Sequence, residues 1–309
     1  MATASPVSFF TLAVYAFGAS SFVFWSCLIA GFIYCLLIWL NIDSFIDFLG
    51  GSNPEVHRLA RIYLLIVVVF GGLSTIIANL FAYLIRAEGR SFDSSFGLIL
   101  GGVVNIVLDP ILMFVVLPKG NEVLGTSIGT TVSNFVSLFY YIIVLLKYKK
   151  NSFIRFRFNK DIFRDNIPYS VFKSGLPACI MTVFENVSFA VLDNLMAVCG
   201  VAAQAGLGVA KKLNMLAHSC VKGVSQGVMP LIAYNYAAKN KDRFNSALTT
   251  TLILTFSIAT LCTLFYFTFS SSLIEIFIHT DSSAVNYGAK FLRILCLGAP
   301  FSARFSRPN

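Results

Sequence analysis

The chain has 309 residues, of which 57% are apolar and only 12% charged, with a mean hydropathy of +0.79 and a net charge of +9. Soluble domains carry about 25% charged residues. The composition therefore excludes a soluble globular protein, a disordered chain and a nucleic-acid binder, and leaves an all-α polytopic membrane protein. A basic balance is ordinary for such a chain, because cytoplasmic loops concentrate Lys and Arg. The seven cysteines stand singly, without a CxxC pair, and His57, His218 and His279 are far apart in sequence. No metal spacing and no disulfide framework follows from them. Met1 to Pro6 lacks the basic start of a secretory signal.

A spanning helix needs about 20 mostly apolar residues. Met1 to Ile42 carries no charge, which predicts a first helix over about 10–40, longer than one span and therefore tilted or projecting. Further helices are predicted over about 59–85, 96–117, 123–146, 175–198, 201–236 and 244–269. The 201–236 segment is interrupted by Gly206, Gly208, Gly223, Gly227 and Pro230. An eighth helix begins near 285 and is too short to span before Ala303-Arg304. The pairs Gly71-Gly72 and Gly101-Gly102 suit close helix packing.

With loops folded alternately to two sides, stretches 86–93, 147–173, 239–243 and 304–307 hold fifteen Lys and Arg against five on the other side. The first side is therefore cytoplasmic. The connector 147–173 also mixes in Tyr148, Phe153, Phe156, Phe158 and Phe163. It reads as an amphipathic segment lying on the membrane surface between two lobes.

A shift of 229 residues superposes Phe48 on Phe277, Leu49 on Ile278, Val56 on Val285, Ala60 on Ala289 and Arg61 on Lys290. Parallel six-helix repeats are a recurring transporter design. This period divides the chain into residues 1–148 (the last four helices of a first lobe), a basic cytoplasmic linker 149–167, and residues 168–309 (the first part of a second lobe). It also implies a parent of about 438 residues and twelve spans. The chain is thus expected to be truncated at both ends and inactive by itself.

Ionisable groups within spans are costly and become functional candidates. Asp109 precedes Pro110, and Asn105 lies four residues earlier on the same helix face. Pro110 frees the carbonyl of Ile106. A carboxylate, an amide and a freed carbonyl on one face suit a proton or sodium site. The competing reading is a helix-end Asp reaching for the surface. Glu185 falls near the midplane, where a carboxylate must be protonated, paired or cation-bound. Asp193 lies toward the turn at Gly200. Mirror register about that turn places it near Lys211 and Lys212, so these three read as a structural ion pair or cavity charges. Lys222 lies nearer the cytoplasmic half, within snorkelling reach. No nucleophile–base pair, phosphate loop or HExxH is present, so no enzyme is expected.

The segment Asn105-Ile106-Val107-Leu108-Asp109-Pro110, followed by Gly125-Thr126-Ser127-Ile128-Gly129-Thr130, resembles the N-x-x-x-D-P … G-A-A-x-A-T signature of multidrug and toxic compound extrusion (MATE) transporters. So do Gly175-Leu176-Pro177 with Glu185, and Gly223-x-x-Gln226-Gly227-x-x-Pro230 followed by Tyr234-Asn235-Tyr236-Ala237-Ala238-Lys239. Gly129 stands where the pattern has Ala. The resemblance implies a two-lobe bundle of twelve helices in the plasma membrane, exporting cationic amphipathic compounds against protons or sodium. It implies a coupling site of Asn105, Asp109 and Thr130 completed by an acid on a first helix that this chain lacks. It also implies cation coupling at Glu185, with a partner on a later helix. The coupling ion takes the place of a cofactor. The partners expected are a small-molecule substrate and the bilayer. The alternative within transporters is a lipid-linked or polysaccharide flippase, which needs several cavity-facing basic residues. Only Lys211, Lys212 and Lys222 qualify.

Overall fold

A computed structural model describes residues 6–48, 54–118, 120–150, 152–158, 166–278 and 282–298. Every regular element among them is helical. They are α1 (Pro6–Leu40), α2 (Ile42–Phe48), α3 (Pro54–Tyr63), a π-helical segment Leu64–Phe70, α4 (Gly72–Ala87), α5 (Ser91–Ile111), a second π-helical segment Leu112–Val116, α6 (Glu122–Lys147), α7 (Ile167–Val198), α8 (Val201–Ala237), α9 (Lys241–Glu275) and α10 (Ser282–Cys296). Large apolar side chains face outward along these helices, among them Ile106, Phe114, Val115, Phe139 and Leu261. In water such a surface would aggregate; it suits a multi-pass membrane protein, whose helices face lipid.

Five helices are long and apolar enough to cross a bilayer, or six if Pro54–Phe70 and Gly72–Ala87 form one bent span. α8 has the length, 37 residues, but Lys211, Lys212 and Lys222 dilute its hydropathy. The 15 residues of α10 rise ~22 Å, less than the ~30 Å hydrocarbon core.

The chain falls into two compact units, Met1–Gly175 and Leu176–Asn309. In the first, α5 and α6 approach closely because small residues face each other. A Cβ on Gly97 would strike the ring of Tyr141, and one on Gly101 would strike Ser137 Oγ. The space is used for polar bonds: the Tyr141 hydroxyl donates to Ser94 O at 2.7 Å and Ser137 Oγ to Gly97 O at 3.0 Å. Ser94 Oγ in turn donates to Ala82 O of α4 at 2.7 Å. Small residues and buried hydroxyls are what membrane helices use for cohesion, since lipid gives apolar side chains no reason to leave it. The core beneath is built from Phe81, Ile85, Tyr141 and Val144.

The helix expected over 59–85 is not straight. It bends by 49° at a break before Gly72, after seven π-helical residues. The Gly71 N–H donates to Ile66 O at 2.9 Å, a five-residue step. Gly71 makes the bend possible because α6 crosses there: a Cβ would sit 2.9 Å from Val67 O and 3.0 Å from Thr131 Oγ1. Thr131 Oγ1 reaches back to Ile66 O at 3.2 Å.

Part of the connector is bonded to the helices around it. Residues 152–158 are extended and pinned inside the first unit. Glu88 accepts from Ser152 Oγ at 2.6 Å and Phe153 N at 2.7 Å. Arg155 N donates to Ser20 Oγ at 3.1 Å, Ser21 Oγ to Arg155 O at 2.8 Å, and Trp25 Nε1 to Phe156 O at 3.1 Å. Phe156 packs against Phe24 and Phe81. Groups of α1 and the residue after α4 thus satisfy the strand-like backbone of 152–158. Residues 159–165 fall outside the described residues.

In the second unit α8, α9 and α10 pack together around Ala210, Ala217, Tyr266, Ile274 and Leu292. Gly206 brings α8 onto the α10 backbone: its Cβ would lie 2.6 Å from Ala284 O and 2.7 Å from Gly288 N. Two helix boundaries stand at or near the 229-residue spacing. α9 kinks at Phe269 (φ −102°, ψ 20°), 229 residues after Leu40, where α1 ends and α2 begins. α10 starts at Ser282, within one residue of the position the same shift gives for the start of α3 at Pro54.

Candidate cation site

α5 carries Asn105 and Asp109 one turn apart, and α6 brings Thr130 beside them. Asn105 Nδ2 donates to Asp109 Oδ1 at 3.0 Å and approaches Thr130 Oγ1 at 3.5 Å. All three are half-buried. Each comes from local sequence. The four-residue spacing on a 3.6-residue helix aligns amide and carboxylate. Pro110 lacks the N–H that would tie back to Ile106, and α5 loosens into the π-helical segment Leu112–Val116 immediately after it. π-turns of this kind frequently accompany functional sites.

Gly129 supplies the remaining piece. A Cβ there would strike Asp109 Oδ1. The glycine lets the carboxylate lie against the α6 backbone, within reach of Thr130. Its one sequence signal was the departure from Ala in the resembled pattern. Among the described residues no Lys or Arg forms an ion pair with Asp109. The rise from Asp93 to Asp109 is ~24 Å, which puts the carboxylate in the outer half of the span Ser91–Val116. A carboxylate inside a span, bonded here by a side-chain amide, is costly enough to be a candidate functional group.

The second unit places the other candidates. Glu185 of α7 pairs with Lys222 of α8, Nζ lying 3.2 Å from Oε1 and 3.4 Å from Oε2. Sequence reasoning missed this partner, since mirror register about Gly200 points to a residue near 216. The gap is ~9 Å along α8, bridged in large part by the four-carbon lysine stem. His218, one turn before Lys222, lies within electrostatic reach of both groups. Lys211 Nζ sits 5.0 Å from the centroid of the Phe189 ring, a cation–π distance. Lys212 is exposed, as expected for neighbours ~100° apart on a helix. The side chain of Asp193 falls outside the described residues.

The MatE family model matches residues 177–306. The multidrug export protein MepA of Staphylococcus haemolyticus is 29% identical over 278 residues, covering 89% of this chain and 59% of that protein. MepA of Staphylococcus saprophyticus is 28% identical over 275 residues, with the same two coverages. In sequence this chain is similar to these multidrug export proteins. The solved structure of a multidrug resistance MATE family transporter in an outward-facing conformation aligns with a TM-score of 0.78 at 19% identity, covering 94% of this chain and 68% of that one. A MATE structure in the straight conformation aligns with a TM-score of 0.76 at 19% identity, with the same two coverages. These alignments establish the MATE fold. The chain spans 59% of the length of the curated MepA relatives it matches, and their family is one of transporters, not enzymes.

Proposed function

We propose that the chain carries the cation-handling framework of an antiporter that exports cationic amphipathic compounds in exchange for protons or sodium. The observation that carries the reading is the Asn105–Asp109–Thr130 group. It is a carboxylate at membrane depth, held by neutral donors beside a proline-loosened helix. An inward-moving proton or sodium ion neutralises Asp109. The Asn105 bond then weakens, and α5 changes its bend at Pro110. Two such states, one favoured by the coupling ion and one by cargo, are the minimum an exchanger needs. The names of the MepA relatives support multidrug export as the class of cargo. A flippase for phosphate-bearing lipids is less well supported, because it needs several basic residues and, of the three that qualify, Lys222 is paired with Glu185 and Lys211 lies over Phe189.

The test is exchange in everted membrane vesicles containing the 309-residue chain. Adding a cationic dye dissipates an imposed proton or sodium gradient if the reading is correct, and Asp109→Asn abolishes the response. A response of equal size with Asp109→Asn removes the coupling role.

A further inference from the structure

On one face of α7, Glu185 and Phe189 stand one turn apart. A carboxylate and an aromatic face are the two groups that most often receive an organic cation. Both are already taken by lysines of α8. Lys222 Nζ bonds both oxygens of Glu185, and Lys211 Nζ sits over the Phe189 ring. The order is antiparallel, as the α7–α8 hairpin requires. We propose that this face is an organic-cation subsite occupied by the chain's own lysines, and that cargo binds by displacing the Lys222 ammonium from Glu185.

The geometry favours displacement over a fixed structural pair. The side chains of Lys222 and Glu185 are 56% and 42% exposed, so a ligand reaches the carboxylate without opening a core. Phe184 and Met181 beside them are exposed and apolar, a surface suited to the hydrophobic part of an amphipathic cation. A lysine head on a flexible stem swings away without backbone movement. The ammonium is thus an internal competitor. It keeps the carboxylate paired when the site is empty, and it sets a threshold that weakly interacting cations do not pass. The inference rests on the proposed cation-handling role but concerns a different carboxylate from Asp109, so the two fail separately.

The experiment is equilibrium binding of tetraphenylphosphonium to the full 309-residue chain in lipid nanodiscs at pH 8.5, with gel filtration to verify each variant. Lys222→Met is expected to bind at least tenfold more tightly than the unmodified chain, and Lys222→Arg like the unmodified chain. Glu185→Gln is expected to bind more weakly, and Lys222→Met with Glu185→Gln to lose the gain. Phe189→Ala is expected to reduce the gain. Lys222→Gln repeats the measurement with a hydrogen-bonding neutral side chain, should Lys222→Met fail to fold. If Lys222→Met and Lys222→Gln bind no more tightly than the unmodified chain while Glu185→Gln weakens binding, the competitor role is wrong and the carboxylate site stands. If Glu185→Gln leaves binding unchanged, the subsite is refuted. If neither the unmodified chain nor any variant binds, the subsite is refuted, while the Asp109 role is judged separately by the vesicle exchange assay.

Discussion

Replacing Asn105 with Leu removes the one side-chain amide bonded to Asp109 among the described residues. The change is nearly isosteric, so it empties little volume and alters chiefly the polarity of the site. Asn105 Nδ2 now serves Asp109 Oδ1 at 3.0 Å and Thr130 Oγ1 at 3.5 Å. The first is a bond to a charged acceptor, worth about 1.5–3 kcal/mol. The second is at the limit of hydrogen-bond distance and adds little. A bound sodium ion or organic cation depends on Asp109 being held ionised and aimed. Loss of that bond is therefore expected to weaken cation binding by about ten- to a hundredfold, at 1.4 kcal/mol per factor of ten. The assay is sodium-dependent protection of the purified chain against thermal unfolding, with the apparent sodium affinity read from the concentration dependence. Asn105→Asp serves as a control that retains a polar side chain but adds a charge. If Asn105→Leu shows the same sodium affinity as the unmodified chain, and unfolds at the same temperature without sodium, the amide does not organise Asp109.

Other expected outcomes follow from single contacts. Gly206→Ala forces a Cβ against backbone atoms of Ala284 and Gly288 in α10; α8 and α10 must separate, at a cost of about 1–3 kcal/mol, read as a lower unfolding temperature, whereas Gly208→Ala, with nothing within 4 Å, leaves stability nearly unchanged. Gly129→Ala displaces the Asp109 carboxylate from its seat on α6 and is expected to change sodium affinity more than stability; an unchanged affinity would mean the carboxylate does not rest there. Glu88→Ala removes the acceptor for Ser152 Oγ and Phe153 N, and hydrogen exchange at the Phe153 amide is expected to rise well above that at Arg155, which keeps Ser20. Cysteines placed at Lys149 and Lys241 in a background lacking the native cysteines are expected to react with an impermeant reagent only from the cytoplasmic side, and one at Arg58 only from the outside.

Charge-free runs located the long helices well, because the bilayer imposes a length and forbids charge over it. α6 and α8 agree with expectation to within about a residue at each end, a margin at which helix boundaries carry little meaning. α7 starts at Ile167, eight residues before the expected start, because Tyr169, Ser170 and Lys173 dilute its first turns without breaking them. The bend at Gly71 was not legible, since a glycine pair permits either close packing or a break and only the crossing of α6 decides. Asn105 and Asp109 were legible from their four-residue spacing alone. Thr130 came only from the family resemblance, because nothing in a single sequence says which α6 hydroxyl faces α5. The Glu185–Lys222 pair was hidden for a related reason: a turn fixes which helices are neighbours, while their axial offset depends on packing spread over both.

Cation-for-proton or cation-for-sodium exchange at Asp109 is the central claim. Its most direct test is to add tetraphenylphosphonium to the purified chain in weakly buffered nanodiscs and measure the protons, and separately the sodium ions, released per cation bound. The account predicts release of one or the other by the unmodified chain and none by Asp109→Asn. Tetraphenylphosphonium binding with neither ion released, or with undiminished release by Asp109→Asn, would contradict it.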